Sequence, residues 1–303
     1  MFETLIQMIA LIACGVGWRF LRPGKLGPEQ VRHGLTESVY YLFLPALVLV
    51  VLWQAPMGLD ALRISLLASS GIVFALALSG LLCRLCGMPA AVTGAIMLAS
   101  AFPNATYLGL PVLQVTFGDW ARSVAIQYDL FAATPLLFTV GILIAQHFGE
   151  GETESGFMHR LLRIPPLWAA IVGSALNLLS VPLNPSLEIV LNLLGDTVIP
   201  LMLVALGLSL QWRSISVQQI PPLMVVSSIQ LLLTPLLVWQ LAKTVGLEGD
   251  LLSAVVLEAA MPSMVLGLVL CDRFRLDTTL YALAVTVTTL LSLLSLPLWF
   301  SFV

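Results

Sequence analysis

The chain has 303 residues, 59% of them hydrophobic and 10% charged, with a mean hydropathy of +1.02. Soluble domains carry roughly 45–50% apolar and about 25% charged residues, so an ordinary soluble enzyme is excluded. A transmembrane barrel is excluded as well, because its strands alternate over about 10 residues whereas apolar runs of about 20 recur here. The net charge of −3 is spread over a few connecting segments, and no basic patch points to nucleic acid.

In chain order, the apolar runs predict helical spans over residues 5–20, 35–52, 62–82, 90–113 and 124–146. Five more are expected over 161–181, 189–210, 223–241, 251–270 and 280–302. The reading is an all-α polytopic membrane protein of ten transmembrane helices. Pro165 and Pro166 sit near the start of the sixth run, where the first helical turn tolerates proline. An acidic residue, Glu3, stands where a secretory signal needs positive charge, so the first run is expected to be retained. Cys14, Cys83, Cys86 and Cys271 lie in or beside apolar runs and read as reduced packing residues; the Cys83–Cys86 pair alone is a weak zinc signal.

Basic residues near short loops stay cytoplasmic. Arg19, Arg22, Lys25, Arg32, Arg84, Arg160, Arg163, Arg213, Arg273 and Arg275 occupy odd-numbered connections, against Arg63, Arg122 and Lys243 in even-numbered ones. Both termini are therefore expected on the extracytoplasmic side of the inner (plasma) membrane. A polar stretch rich in glycine and glutamate, 149–159, reads as a cytoplasmic linker between a first five-helix repeat, 1–148, and a second, 160–303.

Displacing the sequence by 159 residues places Glu37-Ser38-Val39 on Asp196-Thr197-Val198 and Pro103 on Pro262. Five helices per repeat is an odd number, so the halves must be inverted, an arrangement common in transporters. Pro103 and Pro262 each fall inside an apolar span. Proline lacks an amide hydrogen and clashes with the carbonyl four residues back, which here belongs to Ala99 and to Glu258. Backbone freed in this way must be buried in protein or line a wet cavity. Asn104 and Thr106 follow the first break and Ser263 the second, so the two breaks point to one shared site near the midplane.

Pro103-Asn104-Ala105-Thr106-Tyr107, with Met261-Pro262-Ser263 leading to Leu270-Cys271-Asp272-Arg273-Phe274, resembles the auxin efflux carrier family, including its bacterial members and the plant PIN carriers. The resemblance implies the fold of the bile acid sodium symporter superfamily, with broken helices 4 and 9 crossing in a transport domain that moves against a scaffold. Spans one, two, six and seven would form the scaffold, through which a homodimer could assemble. It also implies alternating-access transport, of elevator type, of a small organic anion such as a carboxylate. Pro103, Asn104, Thr106, Tyr107, Pro262 and Ser263 would then line the substrate site.

A carboxylate within an apolar span must be protonated, paired or bound to a cation, and Glu258 is such a group. By the same resemblance Glu258 and Asn104 would hold sodium, with freed carbonyls and Thr106 as further oxygen ligands; the alternative is a proton, because burial favours the neutral carboxyl. Asp129, in the fifth span, is the second candidate for ion coupling. Glu37 and Asp196, near the starts of their runs, are read as acidic groups favoured by helix dipoles. Most tryptophans lie toward run ends and read as interface anchors. No HExxH, GxSxG or phosphate-cradling loop occurs, so no catalytic residue or resident cofactor is expected. A ligand sensor or an uncoupled uniporter of the same fold is the competing reading.

Overall fold

A computed structural model describes residues 2–55, 58–150, 164–210 and 216–303. The expected linker, with Arg160, Arg163, Arg213 and His159, lies largely outside these residues. The described chain is helical, and its one β-type pairing is an isolated bridge between Pro103 and Ser263.

Among the described residues, six helices are long and apolar enough to cross a membrane: Pro28–Gln54, Leu59–Leu85, Ala121–Phe148, Pro185–Ser209, Val217–Thr244 and Thr278–Phe302. The first expected span lies in the helix Phe2–Leu21 and the sixth in Pro165–Leu178, which starts on the two prolines. The fourth is divided into Ala90–Ala101 and Leu110–Phe117, the ninth into Gly249–Ala259 and Gly267–Arg273.

Several of the long helices contain a five-residue π turn. Those at Val39–Phe43, Ala105–Gly109, Asp129–Ala133 and Ile229–Leu233 are each followed by one residue and then a proline, namely Pro45, Pro111, Pro135 and Pro235. The amides of Leu44, Thr134 and Thr234 donate to carbonyls five residues back. A wider turn separates the pyrrolidine ring from the carbonyl with which it would collide, so the helix continues where an α-turn would kink. Where a carbonyl is still set free, another donor reaches it: Trp299 Nε1 donates to the Leu231 carbonyl at 2.8 Å. Trp299 is only 7% exposed, so it belongs to the core and is not the interface anchor that its position suggested.

The chain forms two compact units. One comprises Met1–Ala61, Thr106–Ile126 and Met158–Leu210, which takes in expected spans one, two, six and seven, the last third of span four and the first residues of span five. Its helices pack through glycine. A Cβ on Gly15 would overlap the Val204 carbonyl oxygen, and one on Gly207 that of Ile12, so Phe2–Leu21 and Val198–Ser209 meet backbone to backbone. Gly173 lies against the Leu49 carbonyl in the same way, and Gly195 against the side chain and Cα of Leu47.

This unit also corrects the reading of Glu37 and adds an ion pair to that of Asp196. Glu37 sits near the end of the helix Pro28–Ser38 and pairs with His33 at 3.4 Å. Asp196 caps the C-terminus of Pro185–Gly195 and accepts from Arg122 at 2.8 Å. Glu37 stands at no helix N-terminus, whereas Asp196 also lies two residues ahead of Val198–Ser209, so its ion pair with Arg122 adds to the dipole and does not replace it. Arg122, expected in a loop, is buried.

The other unit comprises Leu62–Ala105, Gln127–Phe157 and Gln211–Val303. Its core includes Ile72, Ile96, Leu98, Phe102, Phe274 and Tyr281. Cys83 and Cys271 are packed inside it, whereas Cys86, and Cys14 in the first unit, are exposed.

Candidate functional site: two broken helices that cross

The site is built from the two prolines outward. Ala90–Ala101 ends at Phe102, whose backbone is extended at φ −105° and ψ 105°. Gly249–Ala259 ends just before Met261. The two extended segments pair antiparallel: the Asn104 amide donates to the Pro262 carbonyl at 2.7 Å, and the Met264 amide to the Phe102 carbonyl at 2.8 Å. Each break thereby supplies backbone partners that the other has lost, which is how non-helical backbone survives away from water.

Side chains complete the arrangement. Ser263 Oγ donates to the Ala99 carbonyl at 2.7 Å, so the oxygen that Pro103 strips of its helical partner is satisfied from the opposite break. The Ser263 amide donates to Thr288 Oγ1 at 3.1 Å, and Thr288 donates back along its own helix to Ala284 at 2.7 Å. Gln230 Nε2 donates to the Met261 carbonyl at 2.8 Å, and Tyr281 Oη to that of Met264 at 2.7 Å. Gly267 makes room for this tyrosine, because a Cβ there would overlap the phenol oxygen. The Glu258 carbonyl, freed by Pro262, receives the Met261 amide at 3.2 Å. The two stripped carbonyls are thus engaged within the protein, and the Ser263 hydroxyl hydrogen is committed to one of them.

Other polar atoms at the crossing are left open. Glu258 is 0% exposed and neither carboxyl oxygen has a hydrogen-bond partner. Asn104 is 2% exposed with its Nδ2 unpartnered, and Gln230 Oε1 is unpartnered too. Buried polar atoms without partners are rare and costly, about 1–3 kcal/mol each, so these three residues are the candidates for holding a ligand or ion at the crossing.

Asp129, 5% exposed, accepts from Thr134 Oγ1 at 2.8 Å at the head of its π turn. It is the carboxylate that lies near enough to Glu258 for the two to interact electrostatically. Of the residues expected to share the site, Pro103, Asn104, Pro262 and Ser263 meet at the crossing, with Glu258 on the same strand of backbone and Asp129 within electrostatic reach. Thr106 and Tyr107 follow on the π turn Ala105–Gly109 and group with the first unit.

The sequence reading missed Gln230, Thr288 and Tyr281. A lone glutamine in an apolar run was the available signal for the first, since an amide there needs a reason. Thr288 and Tyr281 carry none, because hydroxyls in a membrane helix usually bond their own backbone.

A family described as membrane transport protein matches residues 1–300. The chain is 31% identical over 299 residues to an "uncharacterized transporter" of Methanothermobacter thermautotrophicus, covering 98% of this chain and 96% of that protein. It is 30% identical over 211 residues to a second "uncharacterized transporter", from Methanocaldococcus jannaschii, covering 68% and 67%. With an all-helical, multi-span architecture and a family match over nearly its whole length, the chain belongs to the auxin efflux carrier family of membrane transport proteins.

Proposed function

We propose that the protein is a secondary active transporter of a small organic anion, a carboxylate, working by elevator-type alternating access in the inner membrane. The observation that carries this reading is the crossing itself, where two broken helices satisfy each other's backbone yet leave the Glu258 carboxyl and Asn104 Nδ2 buried without partners. Asn104 offers an N–H donor to the substrate carboxylate, and no cationic side chain lies on the paired segment to hold the anion permanently. Release is accordingly cheap.

Glu258 is the coupling residue. Sodium is the first assignment, with Asn104 contributing its side-chain oxygen and Asp129 a second charge nearby; a proton shared by the same carboxyls is the alternative. Ten helices in a 5+5 inverted repeat form the working architecture, and the coincidence of both breaks at one 159-residue offset supports it. The first unit, holding expected spans one, two, six and seven, serves as scaffold and homodimer surface, and the second carries the crossing. Thr106 and Tyr107 contribute to substrate selection from the segment after Asn104.

Flux of radiolabelled mono- and dicarboxylic acids into proteoliposomes, under separately imposed sodium and pH gradients, tests the proposal. Uptake that Asn104→Ala abolishes in folded protein, with sodium dependence lost in Glu258→Gln, is the expected result. Sodium dependence persisting in Glu258→Gln would overturn the ion assignment. Saturable binding of an acid with no flux under any gradient would favour the sensor.

A further inference from the structure

A cavity lies in the unit that holds the crossing, separate from the paired prolines. It has a volume of about 700 Å³ and is walled by the ends of Leu59–Leu85 and of the helix that finishes at Phe148, together with the first half of Ala90–Ala101. Volumes of roughly 300–1,000 Å³ suit small organic ligands.

The lining has two characters. Arg84 and His147 bring basic groups to the cavity, and Thr93 brings a hydroxyl. Met97, Gly80 and Phe148 make the remainder apolar. Among the described residues Arg84 forms no ion pair. The acidic groups of the neighbouring segments are otherwise engaged: Glu150 faces Arg275 at 3.9 Å, and Asp277 caps its own helix by accepting the Leu280 amide at 2.9 Å. His147 stands edge-on to Phe148, ring centres 4.7 Å apart. Gly80 keeps the floor open, since a Cβ there would reach Met97 Cε at 3.2 Å and displace it into the cavity. Methionine walls adapt readily to the shape of an apolar guest.

We propose that this cavity is a binding site for an anionic amphiphile, a carboxylate or phosphate on a compact apolar body, with the anion on Arg84 and His147 and the body against Met97 and Phe148. A guanidinium gives such a group charge-assisted and bidentate hydrogen bonds, and the apolar wall rewards the part that water solvates poorly. Arg84 ends its helix, which places the anion at headgroup depth. The source is therefore either a soluble acid or the headgroup of a bilayer lipid.

The test uses the full-length protein in nanodiscs of zwitterionic lipid, with 1-naphthoate as fluorescent probe and no ion gradient, so its outcome does not depend on flux at the crossing. Saturable binding is expected, weakened tenfold or more by Arg84→Gln and abolished by Gly80→Leu, which fills the floor with a better helix former. The neutral isostere 1-naphthalenemethanol should bind at least tenfold more weakly. Displacement by dihexanoyl-phosphatidylglycerol would assign the site to a lipid headgroup, and failure to displace would assign it to a soluble acid. Equal binding of the neutral isostere, or an affinity unchanged in both variants, would overturn the proposal. So would binding that is lost in Asn104→Ala and kept in Arg84→Gln, since that places the ligand at the crossing.

Discussion

The two units solve the same problem, burial of helices away from water, and differ in how many polar groups they bury with them. In the unit that includes Phe2–Leu21 and Val198–Ser209, glycines bring backbones into contact, and Thr106, Arg122 and Ser123 are its buried polar residues among those described. The unit that holds the crossing buries Asn104, Asp129, Gln230, Glu258, Ser263 and Thr288. Close packing needs only small residues, whereas buried polar groups persist at a cost and so point to work being done. Within the second unit a finer distinction holds: Ser263 and Thr288 are fully bonded and build the crossing, while Glu258 and Asn104 keep open valences.

The strongest way to break this comparison is to attack the glycine contact. Gly207→Val places atoms on the Ile12 carbonyl and should cost about 4 kcal/mol or more, in the range where single changes unfold a domain. Loss of the monodisperse peak in size-exclusion chromatography is expected; a normal peak and melting temperature would show that the helices part without penalty.

Ser263→Ala comes next. It leaves the Ala99 carbonyl buried and unbonded, a loss of about 1–3 kcal/mol that should appear as a lowered melting temperature. Arg122→Gln removes a partly exposed pair with Asp196 and should cost about 1 kcal/mol at most by the same measurement.

Glu258→Gln should have the smallest effect on stability, none or a slight gain, because it replaces an unpartnered buried carboxyl with a neutral group of the same shape. A destabilisation matching that of Ser263→Ala would mean that Glu258 is a structural residue, and the distinction between building and working polar groups would fail.

How far the sequence anticipates this follows from what each residue type announces. Pro103 and Pro262 announce themselves, since proline inside an apolar run must interrupt helical bonding wherever it falls. Glu258 and Asp129 do so as well, because ionisable groups in a membrane need a partner. What the breaks do to each other was not legible. The pairing of Asn104 with Pro262, and of Ser263 with Ala99, depends on two segments more than 150 residues apart meeting in one register. Arg122 was read as a loop cation because a charge at a run's edge looks solvated, and only its partner Asp196 reveals otherwise. The glycine contacts were equally hidden, since a glycine in a helix is the same letter whether it faces lipid or another backbone.

The π turns have a consequence for direction as well as continuity. Each contains one residue more than an α-helical ladder, and one residue corresponds to about 100° of rotation, so the faces before and after it are out of phase. Between Asp129 and His147 the chain passes through two such turns, Asp129–Ala133 and Leu137–Gly141. This accumulated rotation decides which way each end of the helix looks. Asp129 accepts from Thr134 at the head of the first turn, and His147 lines the cavity beside Arg84. Deleting a single residue from either turn would return it to an α-turn and leave His147 facing that cavity, whereas deleting one from the α-helical stretch Ile142–Phe148 ahead of His147 would swing it about 100° away. The wide turns therefore decide which residues of the span share a face, as firmly as the identity of the side chains themselves.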